Sequence, residues 1–513
     1  MSERNTPDYS SPDFERFKPW WAKADACLGG TEAMRAAGSS HSSSPYLPQF
    51  PHENDDTYAA RLAASTFFPA YGDTLDGVAG TILRKPIRLN DNVPLSLQSD
   101  AENIDRAGTH YQVFADRLLR AALHYGAAYV LVEMPRRPEG VLDQAQAAAL
   151  DFRPFWLCYS AAELANWPRY VVVNGAPILQ QIVFRERAAT LDGFGEASTD
   201  RYRVWRVPVA QDQFGEFHRA GDAEWEIWEQ RDSADRKQSL AMIDAGVSPL
   251  LDIPVAVLNA NPAMSSSREC DGPLLLDLAN LNIKLYQQES DHENNLHLCT
   301  PIPYSVNLRA ETGVEERFAW GPGLMFHTDA DGRIDYAEPR GTGLAERREW
   351  MAGLKQQMLE LGLSLAVEGS QKGGTTATEA MLRAGRRASR LTQIARALQD
   401  CLELALQFHA QWKGEATGGE VTLGVSDADL VLSAQDLASL SLLQEKGQIS
   451  LRTFWATMTR GGWAPDDFDP DLELEQIAEE RARLAPPPPP PAEPEAEDEE
   501  EATEADEEES EDS

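Results

Sequence analysis

The sequence predicts an α+β protein, and three stretches carry that expectation. About forty residues from Thr376 to Gly414 read as one uninterrupted helix, and Gly272 to Leu298 reads as a second, amphipathic one. Between residues 154 and 258 the pattern changes to short aromatic and β-branched runs separated by turn-rich gaps. A forty-residue helix spans roughly 55 Å at 1.5 Å rise per residue, more than a small globular core needs.

In chain order, residues 1–45 are rich in Ser, Gly, Pro and charge, with one apolar cluster at Phe17, Trp20 and Trp21. They read as a loose arm with a docking point. From Tyr46 the pattern sharpens: two Pro-bounded turns lead to Asp55 or Asp56 as N-cap. Leu62, Phe67, Leu75, Val78 and Ile82 then mark helical segments interrupted at Pro69 and ended by Lys85-Pro86. A helix from about His110 to Tyr125 uses Val113, Phe114, Leu118, Ala121 and Ala122 as its apolar face, stops at Gly126 and feeds the strand AAYVLVE. PFWLCYS, ILQQIVFRE, RYRVWRVPV and AEWEIWE are the next strands.

Gly272-Pro273 opens the second long helix, roughly 40 Å by its rise. Leu274, Leu278, Leu281, Leu285 and Leu296 fall near one face, with Asp277, Lys284, Asp291 and Asn295 near another. Residues 300–339 read as short strands and turns, and Leu344 to Leu361 as a helix. A loop of Gly-rich composition follows, mobile around Lys372, Gly373 and Gly374. Thr376 and Glu379 have the spacing of a capping box, which marks the start of the longest helix. Met381, Ala388, Leu391, Ala395, Leu398, Leu402 and Trp412 recur at helical spacing, and Gly414 supplies the left-handed exit. Arg383, Arg386, Arg387 and Arg390 stand at i, i+3, i+4 and i+7, which is either a solvated face or a subunit or polyanion contact. A strand pair near Val421 to Leu432 and short helices at Gln435 to Lys446 and Leu451 to Arg460 come next. Six prolines, Pro486 to Pro491, form a stiff spacer before an acidic tail that cannot fold alone.

With 513 residues and 42% hydrophobic side chains, the chain can bury a sizeable core in two to four regions. Its net charge is -37; residues 493–512 hold 14 acids and no base, so the rest is acidic too. That balance argues against non-specific wrapping of nucleic acid, which draws on clustered Lys and Arg. Five scattered cysteines, none in a CxxC pair, suit a reducing cytoplasm. No apolar run has signal-peptide or membrane-spanning length, so neither secretion nor membrane insertion is expected.

No familiar catalytic constellation is present. The Gly369 to Thr375 stretch is not a phosphate-binding loop, since its single lysine, Lys372, is misplaced, and Gly193-Phe194-Gly195 lacks the third glycine of a dinucleotide turn. Asp329, Asp331 and Asp335 resemble a calcium loop, but Gly332 sits fourth rather than sixth, so a tight hairpin turn is the better reading. Glu289, Asp291, His292, Glu293 and His297 crowd one helix. The two histidines, five residues apart, face different directions, so a polar face in a subunit contact is preferred to a metal site. No cofactor is implied.

Several separated blocks, taken in order, resemble the portal (head-tail connector) proteins of tailed bacteriophages, within a subfamily catalogued as a phage domain of unknown function. They are YLPQFPHENDDTYAARLAASTFF with TLDGVAGTILRKP, then HYGAAYVLVEMP, ANW at Ala165 to Trp167, GPLLLDLANLNIKLYQQESDHENNLH, MLELGLSL, and TTATEA leading into the longest helix. Together they cover about residues 46–460.

The resemblance implies a portal-like fold: a wing over residues 46–270, a stem helix at Gly272 to Leu298, clip and channel segments within 271–342, and wing-to-crown helices over 343–484. An arm at 1–45 and a disordered tail at 485–513 fall outside it. It further implies a ring, of twelve subunits in the family, at one capsid vertex of the virion, assembled in the host cytoplasm. Double-stranded DNA would pass through its centre. The partners would be the terminase large subunit, a head-tail adaptor, and the major capsid and scaffolding proteins. On that reading Lys284, Glu289, Asp291 and Glu293 are channel candidates, and Arg383, Arg386, Arg387 and Arg390 are subunit-interface candidates. Two other classes remain open from the residues themselves: a cytoplasmic α+β enzyme using Glu and His of the 286–298 helix, and an acidic scaffold or assembly protein.

Overall fold

The computed structural model describes residues 6–37, 43–136, 146, 150–231, 239–262, 269–298, 302–306, 333–337, 343–366, 377–424, 434–460 and 468–484. It divides into two units, residues 1–430 and 431–513. Lys372, Gly373, Gly374, Thr376, Asp329, Asp331 and the 485–513 tail lie outside the described residues.

In the first unit the N-terminal stretch is not a loose arm. It forms α1 (Pro12–Glu15), α2 (Lys18–Leu28) and α3 (Gly30–Ala36). Ser11 caps the first by accepting from the Phe14 amide, and its hydroxyl donates to Asn166 Oδ1 at 2.8 Å. Phe14, Phe17 and Trp21 are buried, packing edge-on around Trp167 with centroid separations of 5.0, 5.2 and 6.1 Å. The cluster read as a docking point is therefore already occupied, by the chain itself.

Next come α4 (Asp55–Ala64), α5 (Ala70–Ile82), β1 (Arg88–Leu89), α6 (Leu95–Asp100) and α7 (Tyr111–Tyr125). The cap of α4 is Asn54, one residue earlier than expected: its side chain accepts from Thr57 at 2.7 Å, leaving Asp55 and Asp56 in the first turn, where the helix dipole favours acids. On α7, Phe114, Leu118 and Ala122 are buried as expected, but Val113 is exposed and Leu119 and Leu123 take its place. Gly126 ends α7 at φ +97.

It leads into β2 (Ala127–Glu133), whose two faces are both covered. Ala128, Val130 and Val132 join a core shared with the helices, whereas Ala127, Tyr129 and Leu131 join a second core with Phe14, Trp21, Phe184 and Trp205. This alternation makes β2 the partition between a helical layer and a larger sheet. β3 (Phe155–Ser160) flanks it on one side.

The larger sheet comprises β4 (Arg169–Val173), β5 (Ala176–Asp192), β6 (Gly195–Arg206), β7 (Val209–Gln211), β8 (Phe217–Arg219), β9 (Glu224–Arg231) and β10 (Ser239–Val247). Their order is β10-β9-β6-β5-β4-β8-β7, antiparallel except where β4 meets β8. Gly193-Phe194-Gly195 is thus a hairpin turn, with Gly193 at φ +64. β11 (Val255–Asn259) then returns to pair with the other edge of β2, giving the order β11-β2-β3.

The helical layer is completed by α8 (Leu276–Leu298), α9 (Gly343–Ala366) and α10 (Ala377–Lys413). Between α8 and α9, β12 (Ile302–Val306) pairs with β13 (Arg333–Ala337). Asp335 lies in that ladder opposite Tyr304, so it belongs to a strand rather than to a turn. After the exit of α10 at Gly414, φ +75, β14 (Val421–Thr422) pairs with β1; the rest of the expected strand pair, residues 425–432, lies outside the described residues. Gly419, φ +77, lies against Val93 there, where an added Cβ would stand 2.6 Å from its Cα. Protein of α+β class is the result, as the sequence predicts.

The second unit, taken by itself, holds α11 (Ala434–Glu445), α12 (Leu451–Arg460) and α13 (Pro470–Leu484). Trp455 meets Phe468 edge-on at 5.7 Å. The sequence reading marks the first two helices and lacks the third as an element.

Candidate functional site

The geometry around α8 follows from an inward face that is mainly apolar at first and turns polar toward its C-terminal end. Leu278, Ile283 and Leu285 pack into the helical core, with Asn282 buried among them and Ser290 and His292 buried further along. Leu296, assigned to the apolar face, is exposed. Each buried polar group needs a partner, and most have one. Asn282 accepts from the Tyr71 amide at 3.2 Å and donates to the Phe68 carbonyl at 2.9 Å. Ser65 donates its hydroxyl to the Arg61 carbonyl at 2.7 Å, and its oxygen stands 2.8 Å from that of Ser290. Arg61 pairs through two nitrogens with both oxygens of Glu53, at 2.8 and 2.7 Å, in a site where both side chains are about 95% buried. The hydrogen bonds from Arg61 hold the Glu53 carboxyl below the usual range. Arg61 also lies 4.0 Å from the Phe50 ring centroid. His292 is buried, and its Nδ1 has no hydrogen-bond partner among the described residues.

The four channel candidates divide by environment. Lys284 is exposed and places Nζ 5.8 Å from the Trp350 ring of α9. Glu289 pairs with Lys355 of α9 at 2.8 Å, and Lys355 also approaches the Phe68 ring at 5.1 Å. Asp291 is half-buried, and burial raises its carboxyl above the usual range although Arg347, Arg61 and Lys284 pull the other way. Glu293 is exposed. The structure therefore ties Lys284 and Glu289 to α9, sets Asp291 among cations, and leaves Glu293 on the surface.

A glycine governs how closely α9 crosses α5. A Cβ on Gly362 would stand 2.7 Å from Thr74 Oγ1. The arginine stripe sits in the first third of α10; Arg390 is exposed, and the side chains of Arg383, Arg386 and Arg387 lie outside the described residues. Further along, α10 is buried through Leu398, Leu402, Leu406 and His409, and Trp412 donates its indole N–H to the Val132 carbonyl at 3.0 Å. Among the described residues no group of three or more His, Cys, Asp or Glu is placed to hold a metal ion. Among them, too, no helix is long and apolar enough to cross a membrane.

Residues 273–413, from the start of α8 to the end of α10, match a family described as Domain of unknown function (DUF4055). No curated protein matches the chain. Among solved structures, a chain from the neck of an empty GTA particle is similar over 77% of this chain and 90% of its own, at 9% identity and a TM-score of 0.38. A chain from the virion of a native gene transfer agent (GTA) particle is similar over 82% and 94%, at 11% identity and a TM-score of 0.35.

Sequence reasoning missed Glu53, Arg61, Ser65 and Ser290, because a buried ion pair formed by residues eight apart across a helix start has no spacing signature. Asn282 carries a fainter signal. It is a polar residue at i+4 from Leu278 on the apolar stripe, a place where burial requires a partner.

Proposed function

We propose that this chain is a subunit of a phage-type portal, a ring through which double-stranded DNA passes during packaging and ejection. The observation that supports this reading is that the separated sequence blocks meet one another in the fold. Phe68, Ser65 and Arg61 from the first block meet Asn282 and Ser290 of α8. Thr74 from the second meets Gly362 from the LELGLSL block. ANW docks the N-terminal helices through Asn166 and Trp167. Blocks that resemble one family in order therefore pack against one another in the two cores that β2 divides.

In this proposal α8 is the stem, residues 46–270 the wing and residues 343–484 the wing-to-crown region. The clip and channel segments fall within residues 299–340, of which the β12–β13 pair is described. The ring is a structural conduit of the family's size, twelve, and does no chemistry of its own; the terminase large subunit supplies ATP hydrolysis and docks at the clip, which a head-tail adaptor occupies afterwards. Phosphate meeting an acidic wall finds few places to bind, which suits translocation. Negative-stain microscopy of the purified full chain tests the reading. Rings with a central hole are expected, and a protein that stays monomeric at every concentration and salt tried overturns it.

A further inference from the structure

We propose that the exposed face of α9 around Trp350 is the seat for the arginine stripe of α10 from a second copy of this chain. The inference rests on the ring reading and names the surfaces that would close it. The outward side of α9 holds an open groove of about 410 Å³ lined by Glu346, Glu349, Trp350, Gly353, Leu354 and Gln357. These positions follow i, i+3, i+4, i+7, i+8 and i+11, so they form one continuous helical face. Leu354 forms the buried floor of the groove, and Met351 and Met358 beside it are buried in the core. Gly353 makes the notch: an added Cβ would meet nothing within 4 Å. Trp350 remains 46% exposed beside it.

Charge and ring chemistry choose the occupant. Glu346 and Glu349 are exposed carboxylates flanking an open indole face, an arrangement that takes a guanidinium by ion pairing on its edge and stacking on its plane. Lys284, 5.8 Å from the Trp350 ring, shows that the indole already attracts a cation. In an acidic chain, the spacing of Arg383, Arg386, Arg387 and Arg390 is a basic counterpart of matching helical pitch, and Arg390 is exposed. The two surfaces are different faces of the same chain. A contact between unlike faces is heterologous, so it does not stop at a dimer, and where its rotation closes it generates a ring.

Charge exchange between copies tests this. E346R/E349R makes both faces basic, and R383E/R386E/R387E/R390E makes both acidic, so each variant alone repels itself while an equimolar mixture can alternate. By native mass spectrometry and negative stain at about 0.15 M salt, each variant alone is expected to lose at least tenfold in assembled fraction, and mixing should restore rings with the two chains alternating. G353W puts a bulky side chain where an added Cβ meets nothing within 4 Å; it should also block assembly while leaving the melting temperature of the unassembled protein unchanged. Rings that form normally from either charge variant or from G353W, or mixtures that fail to recover, overturn this contact. A wild-type chain that never assembles overturns the ring reading itself, so the two failures are distinguishable.

Discussion

Trp156 donates its indole N–H to Nδ1 of His409 at 3.2 Å, joining β3 to the last turns of α10 across 253 residues of sequence. Because Nδ1 accepts, the imidazole proton sits on Nε2, which donates to Asp100 Oδ2 at 2.9 Å. Lys413 adds a second bond to the same oxygen at 2.7 Å. Burial lowers the His409 pKa despite the neighbouring carboxylate. Burial also pushes Asp100 up, but the bonds from His409 and Lys413 outweigh it and hold its carboxyl below the usual range.

The pH dependence follows from those directions. A histidine whose folded pKa lies below its usual value of about 6.5 leaves the unfolded chain holding more protons as pH falls. Its contribution is therefore complete above about pH 6.5 and is lost as pH falls through the folded value. Asp100, also depressed, adds a loss at lower pH, below the ordinary carboxylate range near 4. The melting temperature should drop between pH 7.5 and 5 in the wild type and drop less in His409→Gln. Equal slopes in the two proteins would remove His409 as the cause.

Glu53 and Arg61 form a buried pair, so removing one partner strands the other charge. Glu53→Gln should cost about 3–5 kcal/mol, read as a lowered denaturant midpoint with unchanged slope. Replacing both residues by apolar ones should cost less than the single change, because no buried charge is left unpaired. A single variant within about 1 kcal/mol of wild type would show the pair to be solvated in practice.

Much of this architecture is written in residue periodicity. The i, i+3, i+4 stripes of α7, α8 and α10 and the alternation in AAYVLVE are local signals, and the elements stand where those signals put them. What periodicity cannot carry is who covers an apolar patch. Phe17 and Trp21 read as an anchor awaiting a partner, yet the partner is Trp167, some 150 residues on. The strand at Val421 is a local signal, but nothing local tells that it pairs with Leu89, far back in the chain. The polar residues of the candidate site were legible only as charges on a helix. That Glu289 meets Lys355 and Asp291 faces Arg347 depends on how α9 crosses α8.

Gly126 and Gly272 meet backbone to backbone. Both have positive φ, and a Cβ on Gly126 would stand 2.3 Å from the Gly272 carbonyl oxygen. Gly126→Ala combines a left-handed backbone at a non-glycine residue with a collision against main chain, which cannot rotate away. The expected loss is on the order of 3 kcal/mol or more, seen as insoluble expression or a melting temperature lowered by roughly 5 °C or more. Gly353→Ala, at a helical position with open space, is the matched control and should be neutral or slightly stabilising.

The channel candidates give the last test, and their environments decide which substitution is informative. Asp291 is half-buried near Arg347, Arg61 and Lys284, so Asp291→Lys adds a cation to three and should destabilise the fold whatever the protein does. Glu289→Lys breaks the pair with Lys355 and sets two lysines together. Glu293 is exposed, so Glu293→Lys should leave stability within about 0.5 kcal/mol. Under the portal reading that change converts a repelling site into a phosphate contact, repeated once per subunit around the ring. Packaging, measured as nuclease-protected DNA against time, should slow in Glu293→Lys rings and recover as salt is raised, because phosphate contacts weaken with ionic strength. Wild-type packaging by assembled Glu293→Lys rings at low salt would take Glu293 out of the channel wall and leave the fold of α8 as described.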